Sequence, residues 1–194
     1  MATAPIAERR YTPEDLLAME GERPSYELLD GQLVERHVSA RSAEVVLLIA
    51  SWLVPFVRPR KLGRLYDSEF LIRIFPDPSR TRKADLSFIA ASRAPVEDVS
   101  FLRIPPDLVV EVVSPSDIAS EVHAKVAELL ANGVRMVWVV YPGPREVHVY
   151  RANGHPSILI ASDEITGEDV VPGFTCSVAD FFPEPVATPE AAAE

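Results

Sequence analysis

The chain of 194 residues contains one cysteine, Cys176, so it can form neither an internal disulfide nor a cysteine-built zinc site. Its four histidines (His37, His123, His148, His155) are scattered, with no HxH or HExxH spacing. Only eight glycines occur, and no Walker loop, GxGxxG or GxSxG is present, which excludes the common nucleotide cradles and the serine-hydrolase elbow. No run approaches the ~20 continuous apolar residues of a membrane span. The opening MATAPIAERRYTPEDL lacks the apolar core of a secretion signal. A soluble, cytoplasmic protein without a membrane partner is therefore expected. Hydrophobic residues make up 47% and charged residues 25%, a balance that rules out a disordered or fibrous chain and suffices for one core.

No internal repeat is present. Residues 1–10 are expected to be flexible, residues 11–182 to form one domain, and PEPVATPEAAAE (183–194) to be a disordered acidic tail. Thr12-Pro13-Glu14-Asp15 carries an N-cap, a first-turn proline and a capping-box acid, which predicts a short helix through Met19. In YELLDGQLVER, Asp30-Gly31 separates two apolar-bearing runs and predicts a β-hairpin. Ala40 to Val57 has helical spacing of Val45, Val46, Leu48, Ile49, Trp52 and Leu53, and Pro59 closes it. Strands follow in GRLYDSEFLIRIF, KADLSFIA and DLVVEVV. A helix capped by Ser116 then runs to about Asn132 and stops at Gly133. VRMVWVV and EVHVY read as an antiparallel pair, with SILIA and a turn near Asp180 beyond. Interleaved strands and helices of this kind make an α/β class with one mixed β-sheet.

The formal charge is −10, a poor match to a polyphosphate. Between Arg58 and Arg93, however, nine basic residues face four acidic ones, which allows either a solvated surface or a local nucleic-acid patch. Glu111 interrupts a run of Leu and Val, where a carboxylate is costly unless it is paired, protonated or bound to a metal. Arg103 and Arg135 are its candidate structural partners. Asp85 repeats the anomaly in KADLSFI, on the same face as Ser87 and Ile89. Two carboxylates on neighbouring strands suit Mg²⁺ or Mn²⁺ better than zinc. Lys125 falls on the flank of the apolar stripe of its helix, from which its ammonium can reach the end of the DLVVEVV strand. Alternatively Glu121 and Glu128, on the same flank, hold it as a surface ion pair. The first amides of that helix, with Ser114 and Ser116, would suit a phosphate oxygen, although Ser116 is equally readable as a simple cap.

The ordered series YELLDGQLVE, KADLSFI, PPDLVVEVVSPSD, the Lys125 helix and ANGVRMVWVVYP resembles the Uma family of restriction-type endonucleases, within the PD-(D/E)XK nuclease superfamily. The likeness spans roughly residues 11 to 182. It implies a restriction-endonuclease-like core in which a mixed sheet is flanked by helices and preceded by the β-hairpin. It also implies that Asp85 and Glu111 are the motif acids, that Lys125 is the catalytic lysine and that Glu27 is an accessory acid. The wider superfamily has its lysine two residues after the second acid, where this chain has Val113. Ala84, Ser42, Leu129 and Tyr141 stand where the family usually has proline, histidine, tyrosine and aspartate. The implied activity is Mg²⁺-dependent cleavage of DNA, with Mn²⁺ substituting, Asp85, Glu111 and the Val112 carbonyl as ligands, and a homodimer to cut both strands. A catalytically degenerate interaction module, or a hydrolase of RNA or another phosphodiester, are the competing implications.

Overall fold

The computed structural model describes residues 9–19, 25–95 and 100–184. Most of the expected flexible N-terminus and acidic tail therefore lies outside the described residues. In chain order the elements are α1 (Pro13–Ala18), β1 (Tyr26–Leu29), β2 (Gln32–Glu35), α2 (Ala40–Val57), β3 (Gly63–Asp67), β4 (Leu71–Ile72), β5 (Arg82–Lys83) and β6 (Leu86–Ala90). They continue with β7 (Phe101–Leu102), β8 (Leu108–Val112), α3 (Ala119–Ala131), β9 (Met136–Tyr141), β10 (Glu146–Arg151), β11 (Ser157–Ile160), β12 (Glu164–Thr166), β13 (Thr175–Ser177) and a closing 3-10 turn, Val178–Phe181.

Local chemistry explains most of these boundaries. Thr12 and Asp15 form a reciprocal capping box on α1. Asp30 and Gly31 both take positive φ (51° and 78°), the conformation that a two-residue hairpin turn requires. Gly133 ends α3 at φ 95°. The expected cap on α3 is corrected: the N-cap is Ile118, two residues beyond Ser116, and no side chain bonds the first amides of the helix. Ser116 is drawn instead toward the Ser114 hydroxyl, 3.4 Å away, while Asp117 accepts the Ser114 N–H at 2.7 Å.

Six strands form the central sheet in the order β11-β10-β9-β8-β6-β3. Only the β8–β9 pair in it is parallel, and α3 is the crossover between the two. Period-two alternation divides the side chains cleanly between the faces. Leu108, Val110, Val112, Met136, Trp138 and Val140 face α2, packing on Val45, Ile49, Leu53 and Val57. Val109, Val137 and Val139 face α3, packing on Val126 and Leu129. Glu111 is odd-numbered like Val109, so it faces α3. Among the described residues, α2 is the one helix long and apolar enough to cross a membrane by length and composition; here its Val45–Val57 stripe covers a sheet face.

The hairpin β1–β2 lies outside the main sheet and is joined to the strand region through the Leu28–Thr81 bridge. Thr81 donates its N–H to the Leu28 carbonyl at 2.8 Å and returns its own carbonyl to the Leu28 N–H at 2.9 Å. That bridge brings Glu27 beside β5 and the start of β6.

Candidate active site

The site is built where β8 ends, β6 begins and the hairpin crosses them. Asp85 immediately precedes β6, and its N–H is held by the Val110 carbonyl at 3.1 Å. Its Oδ2 accepts the Val112 N–H at 2.6 Å, and its Oδ1 accepts an Arg36 N–H at 2.7 Å. Glu111 projects from β8 toward α3, and its Oε2 accepts from Lys125 Nζ at 2.8 Å. The other oxygen, Oε1, is buried without a hydrogen-bond partner among the described residues. An unsatisfied carboxylate oxygen is costly in a low-dielectric site, so Glu111 has an open coordination position.

Lys125 is the pivot. Its ammonium donates to Glu111 Oε2 at 2.8 Å, to Glu27 Oε1 at 2.8 Å and to the Lys83 carbonyl at 2.7 Å, which uses all three of its protons. Glu27 also accepts the Lys83 N–H at 3.0 Å and an Arg82 N–H at 2.9 Å. Arg82 is itself clamped by Glu128, which further pairs with Arg80. Glu128 therefore does not hold Lys125 on the helix surface. The two arginines considered as partners of Glu111 are elsewhere: Arg135 pairs with Asp107 and Asp169, and Arg103 lies over Phe101.

The site thus brings Asp85, Glu111, Lys125 and Glu27 together around one cavity of about 410 Å³, which Val112, Arg36 and Ser116 also line. Val112 presents its N–H to Asp85. Val113 sends its N–H to the Val140 carbonyl at 2.9 Å and packs among apolar residues, so it takes no part in the chemistry. Ser42, on α2, donates to the Val113 carbonyl at 3.3 Å and lines the same cavity.

Burial and charge split the two glutamates. Burial drives the Glu111 carboxyl up to about 7; Asp85 and Glu27 add to the rise, and Lys125 and Arg36 oppose it. Burial also acts upward on Glu27, but Lys125, Arg82 and Arg36 outweigh it and hold that carboxyl down at about 2. For Lys125 the burial penalty is overcome by Glu111 and Glu27, so its ammonium is held charged above the ordinary lysine range. Perturbations of opposite sign on adjacent acids in a cleft mark a functional site better than either alone.

Arg36 and Arg82 are the site residues that sequence reasoning missed. A signal existed for Arg36. The Asp30-Gly31 turn pairs Glu27 with Val34, and Arg36, two residues on, shares that face and is a diagonal neighbour of Glu27. Arg82 carried no such pointer. In the basic segment 58–93, Arg58, Arg60, Lys61 and Arg64 are exposed and pair with no acid among the described residues, whereas the other five members are paired. Arg73 pairs with Glu14, Arg80 with Asp30, Arg82 with Glu27, Lys83 with Glu69 and Arg93 with Asp107.

The donor set fits a hard divalent cation. Asp85 and Glu111 offer oxygen only, and one Glu111 oxygen is unclaimed. Among the described residues no group of three or more His, Cys, Asp or Glu side chains is placed to hold an ion alone. Such a site matches Mg²⁺ or Mn²⁺, which commonly rest on one or two carboxylates and keep several waters.

Comparison with known proteins agrees with this architecture. Residues 13–179 match the Uma2 family, described as "Putative restriction endonuclease", and the chain belongs to that family. A crystal structure of "a putative nuclease belonging to DUF820" from Anabaena variabilis superposes with a TM-score of 0.77 at 20% identity. The match covers 88% of this chain and 97% of that one, and shows that the two share a fold. No curated protein matches the chain significantly.

Proposed function

We propose that this Uma2-family chain is a divalent-metal-dependent endonuclease that hydrolyses phosphodiester bonds in DNA. The observation that carries the reading is the convergence at one cavity of Asp85 at the start of β6, Glu111 on β8 and Lys125 from the crossover helix that follows β8. Asp85 and Glu111 would hold Mg²⁺ or Mn²⁺, with the Val112 carbonyl as a further ligand. When bound, the ion polarises a phosphoryl oxygen and lowers the pKa of its water.

The remaining roles fall to the chain. The Val112 N–H fixes the rotamer of Asp85, which keeps Oδ1 turned to the cavity. Lys125, held charged, orients the attacking water and stabilises negative charge developing on the phosphate, rather than removing the water's proton. Glu27 positions Lys125 and is itself locked by Arg82 and the Lys83 N–H. The three site acids are balanced by Arg36, Arg82 and Lys125, so an added divalent ion leaves the site positive toward a phosphodiester. Cleavage of both strands requires two such sites, and a homodimer is part of the proposal.

Plasmid, single-stranded DNA and RNA incubated with Mg²⁺ or Mn²⁺ test it directly. Cutting of plasmid DNA, abolished by EDTA and by Glu111→Gln, is expected. Preferential cutting of RNA would move the substrate class. Absence of metal binding by calorimetry in the wild type would leave a nuclease-fold interaction module. Light scattering reads the dimer.

A further inference from the structure

We propose that Arg36 is the exchangeable counter-ion of this site: it occupies Asp85 while no metal is bound, and a divalent cation displaces it to enter. The inference rests on the metal-dependent reading above and adds to it the residue that controls entry.

An account of every carboxylate oxygen leads there. Glu27 Oε1 is taken by the Lys83 N–H and Lys125, and Glu27 Oε2 by Arg82. Glu111 Oε2 is taken by Lys125, and Asp85 Oδ2 by the Val112 N–H. The last two differ from these: Glu111 Oε1 has no partner among the described residues, and Asp85 Oδ1 is bonded by the Arg36 side chain alone. An ion held by both acids would meet Arg36 at Asp85 Oδ1, the oxygen of that carboxylate whose donor is a side chain rather than a backbone N–H.

The three site cations are not held equally. Lys125 uses all three of its protons, and Arg82 makes three hydrogen bonds to two acids. Arg36 has five N–H donors, yet among the described residues its side chain makes one hydrogen bond, to Asp85; its Nε stays 3.9 Å from Glu27. Its backbone is pinned by the Arg36 N–H to the Ser25 carbonyl at 2.8 Å, so release needs only side-chain rotation. Its side chain is 13% exposed, and the chain continues into exposed His37 and Val38. Once off Asp85, a guanidinium at this rim is placed to meet a phosphate oxygen, for which its planar fork is suited.

Mn²⁺ alone is the probe. Calorimetry on the full chain should show Arg36→Met binding Mn²⁺ at least ~10-fold more tightly than wild type, a change of about 1.4 kcal/mol, with Arg36→Lys in between. The Mn²⁺-induced rise in melting temperature should be larger for Arg36→Met as well. A crystal of the wild type with Mn²⁺ needs no variant to fold, and should show the Arg36 guanidinium beyond hydrogen-bond distance of Asp85 Oδ1. Equal or weaker binding by Arg36→Met, or Mn²⁺ bound with Arg36 still on Asp85, overturns the inference and leaves the metal-dependent reading standing. Failure of both wild type and Arg36→Met to bind Mn²⁺ overturns both.

Discussion

The two halves of the site differ in how completely they are satisfied. Around Glu27, every carboxylate oxygen has a donor, Lys125 uses all three of its protons and Arg82 makes three hydrogen bonds. Around Asp85 and Glu111, one oxygen has no partner and another is held by a single arginine bond. The first half resembles a structural ion-pair network in a buried setting. The second carries a polar deficit that folding alone does not reward. A ligand that supplies positive charge removes the deficit, which is why the open half is read as the reaction centre and the closed half as its support.

Substitutions that separate stability from chemistry sharpen this contrast. The largest chemical effect is expected for Asp85→Asn: loss of Mn²⁺ binding by calorimetry, and cleavage lowered by at least ~10³-fold, with a smaller change in urea unfolding. Lys125→Ala should lower cleavage by about 10²–10³-fold while Mn²⁺ still binds; cleavage at the full rate would remove the lysine from the mechanism. Glu27→Gln reverses the pattern. It takes from Lys125 and from Arg82 one of the two acids that each of them pairs with and should cost about 1.5–3 kcal/mol in urea unfolding, a loss that added Mn²⁺ does not restore.

The glutamates also predict opposite pH behaviour in the metal-free protein. Glu111 titrates higher folded than unfolded, so its folded form binds the extra proton. Its contribution to stability is present below about pH 4.5 and is lost as the pH rises through about 7. Glu27 titrates lower folded than unfolded; its contribution is present above about pH 4.5 and is lost as the pH falls toward about 2. Chemical unfolding in EDTA should therefore show Glu111→Gln gaining on wild type between pH 5 and pH 8. A constant difference across that range would contradict the burial of an open acid. The smallest pair of effects concerns the starts of two helices. Thr12→Ala removes a bonded cap and should cost about 1 kcal/mol. Ser116→Ala removes none from α3 and should stay within about 0.5 kcal/mol in the same assay.

Much of the scaffold was legible because its signals are local. The hairpin follows from Asp30-Gly31, the extent of α2 from its apolar spacing and Pro59, and the end of α3 from Gly133. Glu111 was conspicuous because a lone carboxylate in an apolar run violates the pattern around it. The start of α3 was misjudged for a physical reason: Ser116 and Asp117 satisfy polar groups of the preceding turn, and the helix begins uncapped beyond them. The charge surplus in 58–93 divides in the fold: five of its nine basic residues are paired with acids, which charge along a chain does not reveal, and Arg58, Arg60, Lys61 and Arg64 stay exposed.

By itself the sequence determined the faces. Period-two alternation put Asp85 on the face of Ser87 and Ile89, and helical spacing put Lys125 on the flank of its apolar stripe, within reach of the Glu111 strand; the β6–β8 register then sets Asp85 and Glu111 on one side of the sheet. Tertiary structure alone decided the partners. Glu27, Arg36 and Arg82 reach the site because the hairpin docks through the Leu28–Thr81 bridge, a contact between residues more than fifty positions apart. Distances of that kind depend on how separate elements pack, and neither propensity nor spacing along the chain encodes them.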